Sequence, residues 1–320
     1  MDGLHFRAAS PAFMPTLLLR LLAVLSLLSC TTAFGDVVIV KSSDAEPYKQ
    51  AEATLHDELA APNCSVRSVL VKQLAESGIG PSISTTDTVV AVGTSAAAWL
   101  HSQLPGGVEL VYCMVNNADE VGLLKGGDCW GVTTNIPIAE QFKLIAEALP
   151  SARTVGALYA SDTSAGRDAL QAIKDHLPRD WRVEAIAVND YSSVAEAIEA
   201  LTLKKVDVIW TTSDSKIYDA AAVRALLLSS LRSKIPVWGY SPAFVRAGAL
   251  IGVGVDPRAQ AAQAADLIKQ LKQHKDSVVE KAQPPREYQI ALNLIVADQL
   301  NIEIPDSLIQ RATYVFRSEK

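Results

Sequence analysis

Residues 234–256 read Lys-Ile-Pro-Val-Trp-Gly-Tyr-Ser-Pro-Ala-Phe-Val-Arg-Ala-Gly-Ala-Leu-Ile-Gly-Val-Gly-Val-Asp, and two short β-type runs, 235–238 and 249–255, lie inside this stretch. The first run ends in Gly239-Tyr240-Ser241 and the second in Asp256, all small, polar or loop-forming residues. In open α/β sheets ligands bind outside the carboxyl ends of the strands, so endings of this kind are expected to line a crevice. The stretch holds no nucleophile–base pair and no metal-ligand cluster. It reads as a recognition surface.

Outward from it, strand-like and helix-like patterns alternate. Strands are expected at 36–41, 65–71, 88–92 and 108–115, with helical spacing at Ala51, Leu55 and Leu59 and an alanine-rich helix after Gly93. Residues 130–137 read as a crossover, and Pro137 opens a helix that Pro150 closes. A second series follows, with strands at 154–159, 181–188, 206–211 and 235–238 and helices at 166–176, 194–203 and 220–233. Alternation of this type implies parallel strands joined by helical crossovers. Two such series imply two α/β lobes around a cleft. The late elements are expected to return first to one lobe and then to the other. Lobe one is assigned 36–133 plus about 249–283, and lobe two 134–248 plus about 284–320.

The first 35 residues form a separate unit. Arg20, the apolar run 21–28 and the ending Ala33-Phe34-Gly35 fit a secretory signal peptide, with Met1 or Met14 as the start. The run is too short to span a bilayer. Cys30, after Leu27-Leu28-Ser29, also fits a lipoprotein box, so cleavage after Gly35 and lipidation at Cys30 are two routes to the same export. The whole chain carries a formal charge of −6, and the leader holds one acid (Asp2) against two bases (Arg7, Arg20), so the mature chain is more negative still. An acidic chain without a basic run argues against nucleic acid and against an anionic lipid surface. Cys64, Cys113 and Cys129 follow the leader, and no C-x-x-C spacing occurs. In an oxidising compartment a Cys113–Cys129 disulfide is expected, with buried thiols as the alternative.

The 234–256 stretch resembles the K-I-P-V-[FWY]-G-x-x-P-A-F-V-x-x-G-A-L…G-V-D pattern of ABC-transporter solute-binding proteins of the tryptophan/tyrosine type. Gly131-Val-Thr-Thr-Asn-Ile-Pro137, Leu149-Pro-Ser-Ala-Arg-Thr-Val-Gly-Ala-Leu-Tyr159 and the segment from Asn293 to Ile304-Pro305 support the resemblance in order along the chain. It implies a type 1 periplasmic binding protein, with two Rossmann-like lobes, three hinge crossings and closure around a small ligand. It also implies periplasmic location, an ABC permease as partner, a monomer, no cofactor, and an amino acid or related organic solute as ligand. Two departures bear on ligand identity: Tyr240-Ser241, where relatives often carry Asp, and Asn116-Asn117 at a lobe-one strand end.

Strand ends supply the candidate ligand-binding residues, each with a structural alternative. Thr94 and Ser95 open a helix, where they either hold a carboxylate or cap the helix. Asn116 ends a lobe-one strand. Thr134 and Asn135 sit at the crossover, as ligand contacts or hinge hydrogen bonds. Tyr159 and Ser161 end the first strand of lobe two, the ring either stacking on ligand or packing under a loop. Ser213 and Asp214 follow the 206–211 strand, Asp214 as amine partner or cap. Tyr240, Ser241 and Asp256 complete the set, Asp256 either binding an amine or capping the helix that Pro257 begins.

Enzymatic readings find little. The histidines (5, 56, 101, 176 and 274) are scattered, Gly252-x-Gly254 lacks the third glycine of a dinucleotide fingerprint, and no G-x-x-x-x-G-K-[ST] occurs. A sensor subunit feeding a receptor or kinase, and an enzyme on a two-lobed scaffold, are the alternatives to transport.

Overall fold

Strands β1 (Val37–Lys41) and β3 (Thr88–Val92) read VVIVK and TVVAV and are buried end to end. Runs this rich in β-branched residues belong to parallel sheets covered on both faces. The computed structural model describes residues 36–61, 64–80, 83–125, 127–214, 216–273 and 280–318. The expected leader, with Met14 and Cys30, lies outside them. Among the described residues, β1 and β3 join β2 (Val66–Leu70), β4 (Glu109–Val115), β5 (Cys129–Thr133) and the late β11 (Ala282–Gln283) in one sheet of order β11-β5-β4-β3-β1-β2. Every pairing in it is parallel. Side chains alternate across it. Val37, Ile39, Val90, Val92 and Val111 pack on one face against Ala51, Leu55 and Leu59 of α1 (Glu46–Leu59). Val38, Val40, Val89, Ala91 and Leu110 pack on the other, against Leu74 of α2 (Val71–Ser77) and Ala96, Ala97 and Leu100 of α3 (Thr94–Gln103).

The second sheet has the order β13-β12-β10-β9-β8-β6-β7. Its strands are β6 (Thr154–Tyr159), β7 (Arg182–Ala187), β8 (Val208–Trp210), β9 (Val237–Gly239), β10 (Ile251–Gly254), β12 (Gln289–Asn293) and β13 (Tyr314–Phe316). All neighbours are parallel except β10 and β12. Helices α4 (Ile138–Ala148) and α5 (Ser164–His176) bury Phe142, Ile145 and Ile173 on one face. On the other, α6 (Val194–Thr202), α7 (Ala220–Arg232) and the short α8 (Pro242–Ala247) bury Ile198, Leu201, Leu226, Phe244 and Val245. Helices α10 (Leu294–Leu300) and α11 (Asp306–Arg311) complete this lobe.

The segment 249–255, expected in lobe one, belongs to lobe two. Strand β10 sits between β9 and β12, with Gly252 opposite Gly239. A Cβ on Gly252 would stand 2.2 Å from the Gly239 carbonyl oxygen, so glycine is what lets this strand lie so close. The helix that follows and β11 after it return to lobe one. There α9 (Pro257–Gln273) buries Leu267, Ile268 and Leu271 in the core shared with α1 and β4. At about 1.5–3 kcal/mol per large aliphatic side chain buried, that face determines which lobe the helix joins. The chain therefore crosses between lobes three times: after β5, after β10 and after β11.

Cys113 and Cys129 do not form the expected disulfide. Both are free thiols, Cys113 in the core on one face of the first sheet and Cys129 in the core on the other. Their parity on paired strands sends the side chains in opposite directions, since Leu110, not Cys113, lies beside Cys129. Burial pushes the Cys113 thiol up from 9.0 to about 12. It pushes Cys129 up to about 12 as well, outweighing the opposing pull of Lys281. A raised folded pKa means that the unfolded chain releases its thiol protons first. Stability from these groups is complete below pH 9.0 and declines as pH rises toward 12. Urea unfolding followed from pH 8.5 to 10.5 is expected to show a falling midpoint, with a shallower fall in a Cys113→Ala/Cys129→Ala variant.

Candidate functional site

Between the sheets lies a cleft of ≈ 530 Å³, lined from both lobes. Small-molecule sites span roughly 300–1,000 Å³. Lobe one contributes Tyr48 from α1, Met114 from β4 and Asn116 just beyond it. Thr134, Asn135 and Ile136 enter from the first crossing. Lobe two contributes Gln141 from α4, Trp210 at the end of β8 and residues 211–213 beyond it, residues 240–242 after β9 and residues 253–255 at the end of β10. Parallel strands explain the convergence: β4, β5, β8, β9 and β10 all deliver their carboxyl ends here.

Local chemistry fixes most of these groups before any ligand arrives. Trp210 Nε1 donates to Gln141 Oε1 at 2.9 Å, and Gln141 Nε2 donates to the Ile136 carbonyl at 2.8 Å. One side chain thus ties the crossing, α4 and the β8 end together. At the crossing the Thr134 backbone N–H donates to the Val115 carbonyl at 3.0 Å, and its hydroxyl donates to Asn116 Oδ1. Ser241 caps α8 by accepting the Phe244 N–H at 3.2 Å. That places the Tyr240 ring edge-on to Phe244, centroids 5.0 Å apart, with Tyr218 at 6.3 Å. Burial raises the Tyr240 phenol above its ordinary value of 10.0, so it stays neutral. Opposite, Gly93 has φ +95°, and a Cβ there would stand 2.6 Å from Ser42 Oγ and 2.9 Å from the Tyr48 ring. Glycine keeps room for both residues.

A smaller recess of ≈ 80 Å³ adjoins the cleft and shares Ala169, Trp210, Thr212 and Ser213 with it. Its walls include Tyr159, Leu170 and Ile173 together with the carboxylates Glu120, from lobe one, and Asp214. Asp214 Oδ1 accepts the Lys216 N–H at 2.9 Å, and its carbonyl accepts from Ile217 and Tyr218. This residue opens a turn; the cap of α7 is Asp219.

Of the residues singled out from the sequence, Asn116, Thr134, Asn135, Ser213, Tyr240 and Ser241 meet in the cleft, while Tyr159 and Asp214 line the recess. Four lie on neither wall. Thr94 Oγ1 accepts the Asn116 N–H at 3.2 Å, and Ser95 is exposed on α3. Neither caps that helix; Ser42 does so from across the strand ends, accepting the Ala96 N–H at 2.9 Å. Ser161 is tied to Asn189, whose Oδ1 accepts its N–H at 2.9 Å. Asp256 caps α9, its Oδ1 accepting from the Arg258 and Ala259 N–H groups at 2.7 and 3.3 Å and its Oδ2 from Gln289 Nε2 at 3.0 Å. Asp256 lines a separate concavity with Arg258, Gln263 and Arg286 and is not among the cleft-lining residues. Sequence reasoning missed Tyr48, Met114, Gln141 and Trp210. Tyr48 and Gln141 ride on helices, where period marks a buried face but not a cleft. Trp210 closes an apolar run and reads as core.

Residues 82–316 match the family described as ABC transporter substrate binding protein. The chain belongs to that family. No curated protein matches it. Solved structures share its fold at low identity. One is the ligand-free, open form of a substrate binding protein with adhesive properties from Clostridium difficile (TM-score 0.69, 16% identity, 89% of this chain and 100% of the other). Another is an ABC domain in complex with L-Trp from Streptococcus pneumoniae (0.60, 22%, 88% and 99%). A third is a conserved domain protein from Vibrio cholerae (0.59, 21%, 88% and 99%). The fold is that of a type 1 periplasmic binding protein, and a family of substrate-binding proteins captures solutes for ABC transporters. Among the described residues no helix is long and apolar enough to cross a membrane, and no group of three or more His, Cys, Asp and Glu is placed to hold a metal ion.

Asp256→Ala is expected to destabilise the fold by about 1–2 kcal/mol through loss of the cap, with Asp256→Asn recovering most of it. Solute affinity stays at the wild-type value. Urea denaturation and calorimetry on the two variants check both halves.

Proposed function

We propose that this protein is exported, captures a small organic solute between its lobes and delivers it to an ABC permease. The observation that carries the reading is the cleft itself, walled by the strand ends of both sheets and by residues of the first two of the three chain crossings. A solute touching both walls favours the closed form to the extent that it binds that form more tightly. Closed lobes then present one composite surface to the membrane partner. The family pattern at 234–256 and the ring-bearing walls support an amino acid, or a related compound with an aromatic ring, as the solute. Export rests on the expected leader at 1–35. Binding without turnover and a monomeric state complete the reading.

The test is a solute screen on the purified protein by thermal shift and small-angle scattering. A true solute at a hundredfold excess over its Kd adds about 2.7 kcal/mol to stability and raises Tm. It also contracts the radius of gyration as the lobes close. A screen covering amino acids, nucleosides and sugars in which no compound moves either quantity would overturn solute capture.

A further inference from the structure

Strand β4 carries an extra residue where it reaches the cleft. Tyr112 pairs with Gly131 and Val115 with Thr133, so Cys113 and Met114 together stand opposite Val132. Val111 and Cys113 pack on one face of the sheet, Tyr112 and Val115 on the other. Regular alternation would send Met114 to the face of Tyr112. The bulge instead leaves it on the Cys113 face with Tyr48, where both line the cleft.

Met114 has φ +58°. The other non-glycine residues with positive φ among the described ones, Asn117, Lys205, Lys234 and Asn301, lie in turns and connections, whereas Met114 lies inside a strand. This backbone crowds a Cβ against the following carbonyl oxygen, and in a bulge it is ordinarily glycine's. Gln260, almost wholly buried, holds it in place. Its Oε1 accepts the Met114 N–H at 3.2 Å, and its Nε2 donates to the Thr133 carbonyl of β5 at 3.1 Å. Glycine would relax the backbone but leave no side chain at the cleft. Strain of this kind clusters at ligand sites, where the strained residue has a use.

The side chain offers a soft, polarisable apolar surface, and thioethers make favourable contacts with aromatic rings. Tyr48 lines the same lobe-one wall, and Tyr240 lines the wall of lobe two. On the solute-capture reading, on which this inference rests, we propose that Met114 is a specificity-determining residue. Its thioether, beside Tyr48, receives the ring of an aromatic solute that Tyr240 meets from the other lobe.

Methionine occurs three times, at 1, 14 and 114, so protein isotopically labelled at its methionine methyl groups gives few signals. The Met114 signal is the one missing from a Met114→Leu variant. Saturating L-tryptophan or L-tyrosine is expected to shift that signal through the ring current of the solute. By calorimetry, Met114→Gly should weaken L-tryptophan binding about tenfold. Its unliganded Tm should not fall, because relief of the left-handed backbone offsets the lost packing. Met114→Leu keeps an apolar side chain there and should bind within about threefold of wild type. Should the glycine variant lose Tm as well as affinity, the methyl shift in the wild-type protein decides. A bound aromatic amino acid that leaves the Met114 methyl unmoved, or that binds Met114→Gly as tightly as wild type, overturns the inference and leaves solute capture standing. If neither amino acid binds, the inference fails as well, and the wider solute screen decides capture separately.

Discussion

Two buried glutamines on α9 hold the hinge together. Gln260 Nε2 donates to the Thr133 carbonyl at 3.1 Å while its Oε1 accepts the Met114 N–H at 3.2 Å. Gln263 Nε2 donates to the Pro284 carbonyl at 3.0 Å and its Oε1 accepts the Arg286 N–H at 3.0 Å. The first pair fastens the strand that leaves lobe one, and the second fastens the strand that leaves it for the last time. The helix itself starts at the remaining crossing. All three connections are thereby referred to one rigid element seated on lobe one. Both side chains are almost wholly buried, so each loss would strand backbone groups as well as an amide.

The cleft inherits its precision from this arrangement. Its lobe-one wall stands on β4 and β5, the strands that Gln260 grips, and its lobe-two wall stands on strand ends braced by Gln141 and Ser241. Few contacts on either wall are left to be organised by ligand. Residues 134–137, 255–256 and 284–288 are the connections about which the proposed closure would turn. Side chains already ordered before a solute arrives lose little entropy on binding, which favours it.

The fold was largely legible because its signals are strong ones: fully apolar strands, period-3.6 helices and Gly or Pro at the turns. Where legibility ended, it did so for identifiable reasons. Segment 249–255 does not announce its lobe because a short apolar run looks alike in any sheet; the Gly252–Gly239 approach fixes its neighbour, and that is a tertiary fact. Half of the expected site residues reached the cleft because a strand end is a place that sequence can find. Asp256 did not, since a capping carboxylate and a ligand-binding one carry the same residue signature, Asp before Pro at a helix start. Trp210 and Tyr48 went unseen because a ring packed into or against a core announces only the core, even where its edge lines a cleft.

The placement of Cys113 and Cys129 on opposite faces of the first sheet has a consequence for biogenesis. A β-sheet separates its two faces as a partition does, and neither sulfur can reach the other without unravelling β4 from β5. The fold thus asks nothing of an oxidant at these two positions. A chain assembling in a reducing compartment and one assembling in an oxidising one arrive at the same sheet, and a premature bridge between the two sulfurs would be a trap that the finished register excludes.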